Sequence, residues 1–161
     1  MTMEKIYGTT KAQNGLVNVG RKWIAFYGLF TDPDTGSTYE YRHTFTEKPT
    51  LAQVKEVIKS QINADTDIKI LSGFVWNGMP VWLSSENQHN YKSAYDLAIQ
   101  TDGAILPVKF KFGTDDNPQY HIFNDVADLQ DFYLKAFAFV NEALESGYIQ
   151  KDSIDWSVYE V

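Results

Sequence analysis

Three histidines, two acidic turns and a dense set of aromatic rings are the residues of this chain whose types could do chemistry. His43 and His121 fall on the second strands of predicted hairpins, and His89 falls in the first turn of a predicted helix. No H-E-x-x-H or H-x-H spacing groups them, so nothing in the chain specifies the convergence a metal needs. They are read as surface or satisfied-core histidines. The loop Asp32-Pro33-Asp34-Thr35-Gly36, with Glu40 beyond it, opens like a calcium loop. It lacks the third acidic ligand and the proper distance to the final Glu. A hairpin turn accounts for its Asp, Pro and Gly, and also for Asp115-Asp116-Asn117.

Other chemistry is excluded more directly. The chain has no cysteine, which removes disulfides, thiol nucleophiles and cysteine zinc sites. Its serines and threonines show no G-x-S-x-G or S-x-x-K context, and there is no phosphate-cradling glycine loop. No pair of acids is singled out for acid–base work. The expectation is a protein that is not an enzyme, with no catalytic residue, no metal and no cofactor.

The aromatic residues remain: 10 Tyr, 10 Phe and 4 Trp in 161 residues. Trp23, Phe26, Tyr27, Tyr39, Tyr41, Trp76 and Trp82 all fall on predicted strands, where core packing and cross-strand pairing are their ordinary uses. Trp82, placed opposite Gly73, is the best candidate for an exposed ring.

Fourteen basic against 21 acidic residues give a net charge of −7. Phosphate backbones and anionic lipid surfaces repel such a chain, and no Lys/Arg cluster reverses this locally. Neither nucleic acid nor membrane is expected as a partner. The opening MTMEKIYGTTKAQNG lacks the apolar run of a signal peptide, and the longest apolar stretch, Trp23–Phe30, is too short to span a bilayer.

The elements that must position these residues follow a repeated order of hairpin, then helix, over about 20–62, 67–100 and 105–147. The first hairpin is Trp23–Phe30 with Thr38–Phe45. The helix Leu51–Ile62 follows, with Thr50 and Gln53 as a capping box. The second hairpin joins IKILSGFVW to MPVWL through Asn77-Gly78, a pair suited to the positive φ of a type I′ turn. This sets Trp76 opposite Met79, Phe74 opposite Val81 and Ser72 opposite Leu83. Ser85 and Gln88 make a second capping box, and a helix runs to about Gln100. The third hairpin is Leu106–Phe112 with Gln119–Phe123. Asn124 or Asp125 then caps a helix from Val126 to about Glu145, which Gly147 can end. The tail, residues 148–161, is expected to dock as a short strand or pack on the core. Arg42–Val54 and Tyr120–Phe132 echo one another at His43/His121 and Phe45/Phe123. The predicted class is α+β: a mostly antiparallel sheet from three hairpin-helix units, with three helices, in a single domain over 1–161.

The block GFVWNGMPVWLSSENQHNYKSAYDLA, followed by LPVKFKFG and FNDVADLQDFYLKAFAFVNEAL, resembles an uncharacterised domain family. That family is found in bacteriophage tail, tail-fibre and fibre-assembly proteins and in prophage regions. The positions that carry the likeness include Phe74, Asn77, Gly78, Trp82, Asn87, Gln88, Asn90, Phe110, Leu129, Phe132, Tyr133 and Val140. It covers Ile68 to Leu144, about half the chain. The resemblance implies a virion-associated structural or assembly protein that binds other phage structural proteins or itself, in the virion or the host bacterial cytoplasm. No catalytic residue comes with it. Trp82, Asn87, Gln88, Asn90 and Tyr91 are the candidate interaction surface. A carbohydrate- or receptor-binding module is the alternative. With no heptads and no β-solenoid repeat, the chain is not itself a long fibre.

Overall fold

The computed structural model describes residues 2–161 and has an α+β fold, with every strand pair antiparallel. Where the sequence suggests a single domain, the chain divides into two compact units. One holds the residues through Ala64 together with Ile149–Val161, and the other holds Asp65–Tyr148. The divisions fall inside two helices that are longer than the sequence suggests.

The first unit is built on a four-stranded sheet. The expected hairpin is present as β3 (Lys22–Thr31) and β4 (Thr38–Phe45), with a bulge between Tyr27 and Phe30. Two further strands flank it: β1 (Glu4–Tyr7) on β4 and β2 (Gly15–Val19) on β3, giving the order β1-β4-β3-β2. Ala25, Tyr27 and Tyr41 meet Val54, Val57, Ile58 and Ile62 of the helix α1 (Leu51–Ser72) in one core. The Thr50 cap forms as expected: the Gln53 N–H donates to Thr50 Oγ1, and the Thr50 N–H donates to Gln53 Oε1 at 2.8 Å. The tail packs on this core as a 3₁₀ turn (Trp156–Tyr159) and not as a strand. Buried Tyr159 donates its hydroxyl to the Phe26 carbonyl at 2.7 Å.

The second unit holds two ribbons and the remaining helices. Helix α1 runs on through Ile68–Ser72, where the sequence suggests a strand. No Gly or Pro interrupts it before Gly73, whose N–H closes on the Lys69 carbonyl. The hairpin is therefore shorter, β5 (Phe74–Trp76) with β6 (Met79–Val81), in the expected register about Asn77 and Gly78. Ser72 does not pair with Leu83, whose N–H donates to Leu71 instead. Gly73 likewise does not pair with Trp82. A Cβ there would come within 2.6 Å of the Lys69 carbonyl, so this glycine serves the helix exit.

Helix α2 (Ser85–Gln100) is capped by Ser84, one residue earlier than expected, with its Oγ accepting from the Asn87 N–H. The ribbon β7 (Val108–Gly113) with β8 (Pro118–Phe123) matches expectation, and the Asp125 carboxylate accepts from the Asp128 N–H at the start of α3 (Val126–Asp152). Gly147 does not end α3. It lies buried within the helix, and an added Cβ would stand 2.8 Å from Thr66 Oγ1 of α1. The glycine is a packing device between two helices.

These two glycine roles separate experimentally. Asn77 and Gly78 both have positive φ (48° and 75°), and nothing lies within 4 Å of a Cβ added at Gly78. Gly78→Ala is expected to cost about 1 kcal/mol through backbone conformation alone. Gly147→Ala is expected to cost more, because Thr66 must be displaced. Chemical denaturation of both variants checks the order, and an unchanged midpoint for Gly78→Ala would remove the type I′ turn from the account.

Candidate functional site

The five candidate surface residues do not form one surface. Tyr91 is a correction: its ring is buried, packed 4.9 Å from Phe132 and 4.8 Å from Phe110. It sits one turn inside α2 on the face that meets the core, so its aromatic character serves packing. Asn87 and Gln88 turn back on the chain before the helix. Asn87 Nδ2 donates to the Trp82 carbonyl and Gln88 Nε2 to the Leu83 carbonyl, each at 2.8 Å. Both amides thereby hold the strand-to-helix junction. Asn90 is exposed. Trp82 is 52% exposed, on the outward face with Val75 and Pro80, while Val81 and Leu83 point inward.

Two concave regions lie in this unit. A 590 Å³ cleft is formed where β6 and the start of α2 approach the β7–β8 turn. Trp82, Pro80, Asn87, Lys111, Thr114 and Asp115 line it. A smaller slot of 300 Å³ lies between α2 and α3, with Tyr91, Tyr133, Phe137 and Val140 as its apolar walls and His89 and Lys92 at its edge. Lys92 is paired with Asp96 one turn along α2, which holds the ammonium above its ordinary range.

The histidines are positioned by packing. His43 is half-buried beside Phe45, and burial lowers its pKa. His121 Nε2 lies 2.8 Å from Asp128 Oδ2, and its ring stands edge-on to Trp76 at 4.8 Å. This pair ties β8 to the first turn of α3. The sequence analysis does not single it out, although the seven-residue spacing across a strand-helix junction is its signal. The neighbouring Asp131 carboxylate is held below its usual range by the Lys135 ammonium and then by the Trp76 indole N–H, which donates to it at 3.0 Å.

In the first unit, the Asp32 loop is organised as a turn. Its carboxylate accepts from the Tyr7 hydroxyl and from the N–H groups of Asp34 and Thr35, which holds it below the ordinary range. Glu40 is the buried carboxylate of this unit, with Oε1 accepting from Thr9 and Gln13. It fastens the segment between β1 and β2 over the sheet. Among the described residues, no three His, Asp or Glu side chains gather as a metal site, and no helix is long and apolar enough to cross a membrane.

No protein-family model, curated protein or solved structure matches this chain.

Burial pushes the Tyr91 phenol up to about 12 from its ordinary 10.0. The unfolded chain releases this proton near pH 10 and the folded chain only near 12. In that window the folded state holds a proton that the unfolded state has lost, so stability falls as pH rises. Tyr91→Phe is expected to flatten part of the alkaline unfolding curve, the remainder belonging to Tyr159, which burial also raises. An unaltered curve in Tyr91→Phe would place the phenol at the surface after all.

Proposed function

We propose that this chain is a virion-associated structural or assembly protein of a bacteriophage or prophage, related to tails or tail fibres. It acts by contact with other phage structural proteins or with copies of itself, in the virion or the host bacterial cytoplasm. The phage context comes from the resemblance over Ile68 to Leu144. That stretch is nearly the whole of the unit Asp65–Tyr148, which has its own core. The stretch that carries the likeness thus coincides with a folding unit.

The observation that carries a contact role is on α3. Its inward face is Leu129, Phe132, Ala136 and Ala143, all buried. Leu134 and Phe137 lie close together on the other side, since a step of 3 residues nearly closes one 3.6-residue turn. Both are exposed, at 47% and 57%. A helix that has satisfied its core with one face and still carries large apolar groups on another is built to meet something. The chemistry of the chain agrees. Several of its titratable side chains are engaged in turns, caps and ion pairs: Asp32 in its turn, Asp125 at the start of α3, His121 with Asp128, and Asp131 with Lys135.

Phe137→Glu is expected to leave stability within about 0.5 kcal/mol, as exposed substitutions do. The same change should remove the protein from purified particles, or from complexes pulled down from induced lysate. Mass spectrometry of particles with wild-type and variant chains measures this. Equal retention of both would sink the contact role of α3, and absence of the wild-type chain from particles and from every tail-protein complex would sink the phage reading.

A further inference from the structure

We propose that the Trp82 cleft binds a neutral oligosaccharide of two or three pyranose rings, stacked on the indole and held at its hydroxyls by the polar rim. This goes beyond the contact role of α3 and does not rest on it, because the cleft uses different residues on a different part of the unit.

The Trp82 ring is half exposed and lines a 590 Å³ cleft, within the range of small-molecule sites. The backbone behind it is fixed. Val81 and Leu83 on either side are buried to 1%, and the Trp82 carbonyl accepts the Asn87 amide at 2.8 Å. The indole therefore has a rigid seat, and Pro80, two residues back on the same face, extends it with a second flat, weakly polar surface. A pyranose ring has an apolar face of axial C–H groups that matches such a platform, and a rim of hydroxyls that does not.

The rest of the cleft supplies that rim. Asn87 gives one of its two Nδ2 hydrogens to the Trp82 carbonyl, which leaves the other as a donor and Oδ1 as an acceptor. The Thr114 hydroxyl accepts from the Asn117 N–H and keeps its own proton to donate. Lys111 and Asp115 stand 3.4 Å apart, a long pairing that leaves donors on one and acceptors on the other. Together these groups offer both halves of the hydrogen bond at several points, as a sugar's hydroxyls require. A purely apolar ligand would leave them unpaired. An anionic ligand meets Lys111 already balanced by Asp115, on a chain of net charge −7. A neutral, hydroxyl-rich, partly flat ligand answers all three conditions.

The test follows the four tryptophan indole N–H signals of the 15N-labelled full chain by NMR, titrated separately with maltotriose, cellotriose and triacetylchitotriose. Trp82→Tyr and Trp82→Ala, which lack the reporting indole, are titrated in parallel and compared with the wild type through the backbone amide signals of the cleft residues Asn87, Thr114 and Asp115. The expected result is a saturable shift of the Trp82 signal with at least one of the three, with a Kd on the order of 1 mM, as suits a shallow cleft. Trp82→Ala should weaken that binding at least about tenfold, while Trp82→Tyr, which keeps a ring in place, should retain most of it. Thermal unfolding of both variants should match the wild type, since the ring contributes little to the core. No shift with any of the three sugars would overturn the proposal. So would shifts confined to other tryptophans, or equal losses in the tyrosine and alanine variants.

Discussion

Phe132 lies wholly inside the second unit, and six rings close on it: Phe74, Trp76, Tyr91, Phe110, Phe112 and Phe123, with centroids 4.9 to 6.3 Å away. These six rings come from β5, α2, β7 and β8, and Phe132 itself from α3. Neither ribbon has more than two strands, and a two-stranded ribbon is marginal by itself in water. The ribbons persist because each places alternate aromatic side chains against one helix residue. Tilted and edge-to-face contacts of this kind add to the area they bury. The cluster is thus the condition for β5–β6, β7–β8 and α2 having fixed positions at all, and the Trp82 cleft between them depends on it.

The first unit solves the same problem with hydrogen bonds as well as area. Its sheet has four strands with α1 packed in its core, and Phe30 and Tyr39 join Tyr7, Tyr27 and Tyr41 in a ring cluster across the strands. What needs fastening is the segment between β1 and β2, which carries few large apolar groups. Glu40 does this from beneath, accepting Thr9 and Gln13, and Thr38 Oγ1 donates to the Thr9 carbonyl from the same strand. A buried carboxylate is a costly fastener, and its Oε2 and the nearby Arg42 Nε are buried without a protein partner. It is specific, however, because only one arrangement of the segment meets its lone pairs.

Local signals were legible in the sequence, and distance-dependent ones were not. Asn77-Gly78 announced its turn because the required φ is a property of two residues, and the Thr50 box announced its helix start for the same reason. The alternation of Val108, Phe110 and Phe112 with lysines identified β7 correctly. The end of α3 is hidden because Gly147 looks the same in sequence whether it caps a helix or lets Thr66 approach. Residues 68–72 were misread because their apolar content suits a strand as well as a helix. Strands β1 and β2 are short and mostly exposed, and their pairing comes from β4 and β3 far along the chain, so no local pattern marked them. Tyr91 was misplaced for a related reason: its neighbours Asn87, Gln88 and Asn90 are polar, yet its own position on α2 faces Phe132.

The contact role proposed for this chain turns on where its polar groups are spent. An active site keeps titratable groups under-satisfied until substrate arrives, and aims them at a common point. In this chain His121 is engaged by Asp128, Asp131 by Lys135 and Trp76, and Asp32 by one hydroxyl and two backbone N–H groups. The groups left unspent are of another kind: an apolar arc on α3, and an indole with hydroxyl, amide and ammonium neighbours beside it. Unspent apolar area gains free energy only by leaving water, and an exposed ring only by being covered. Both features therefore gain free energy by being covered.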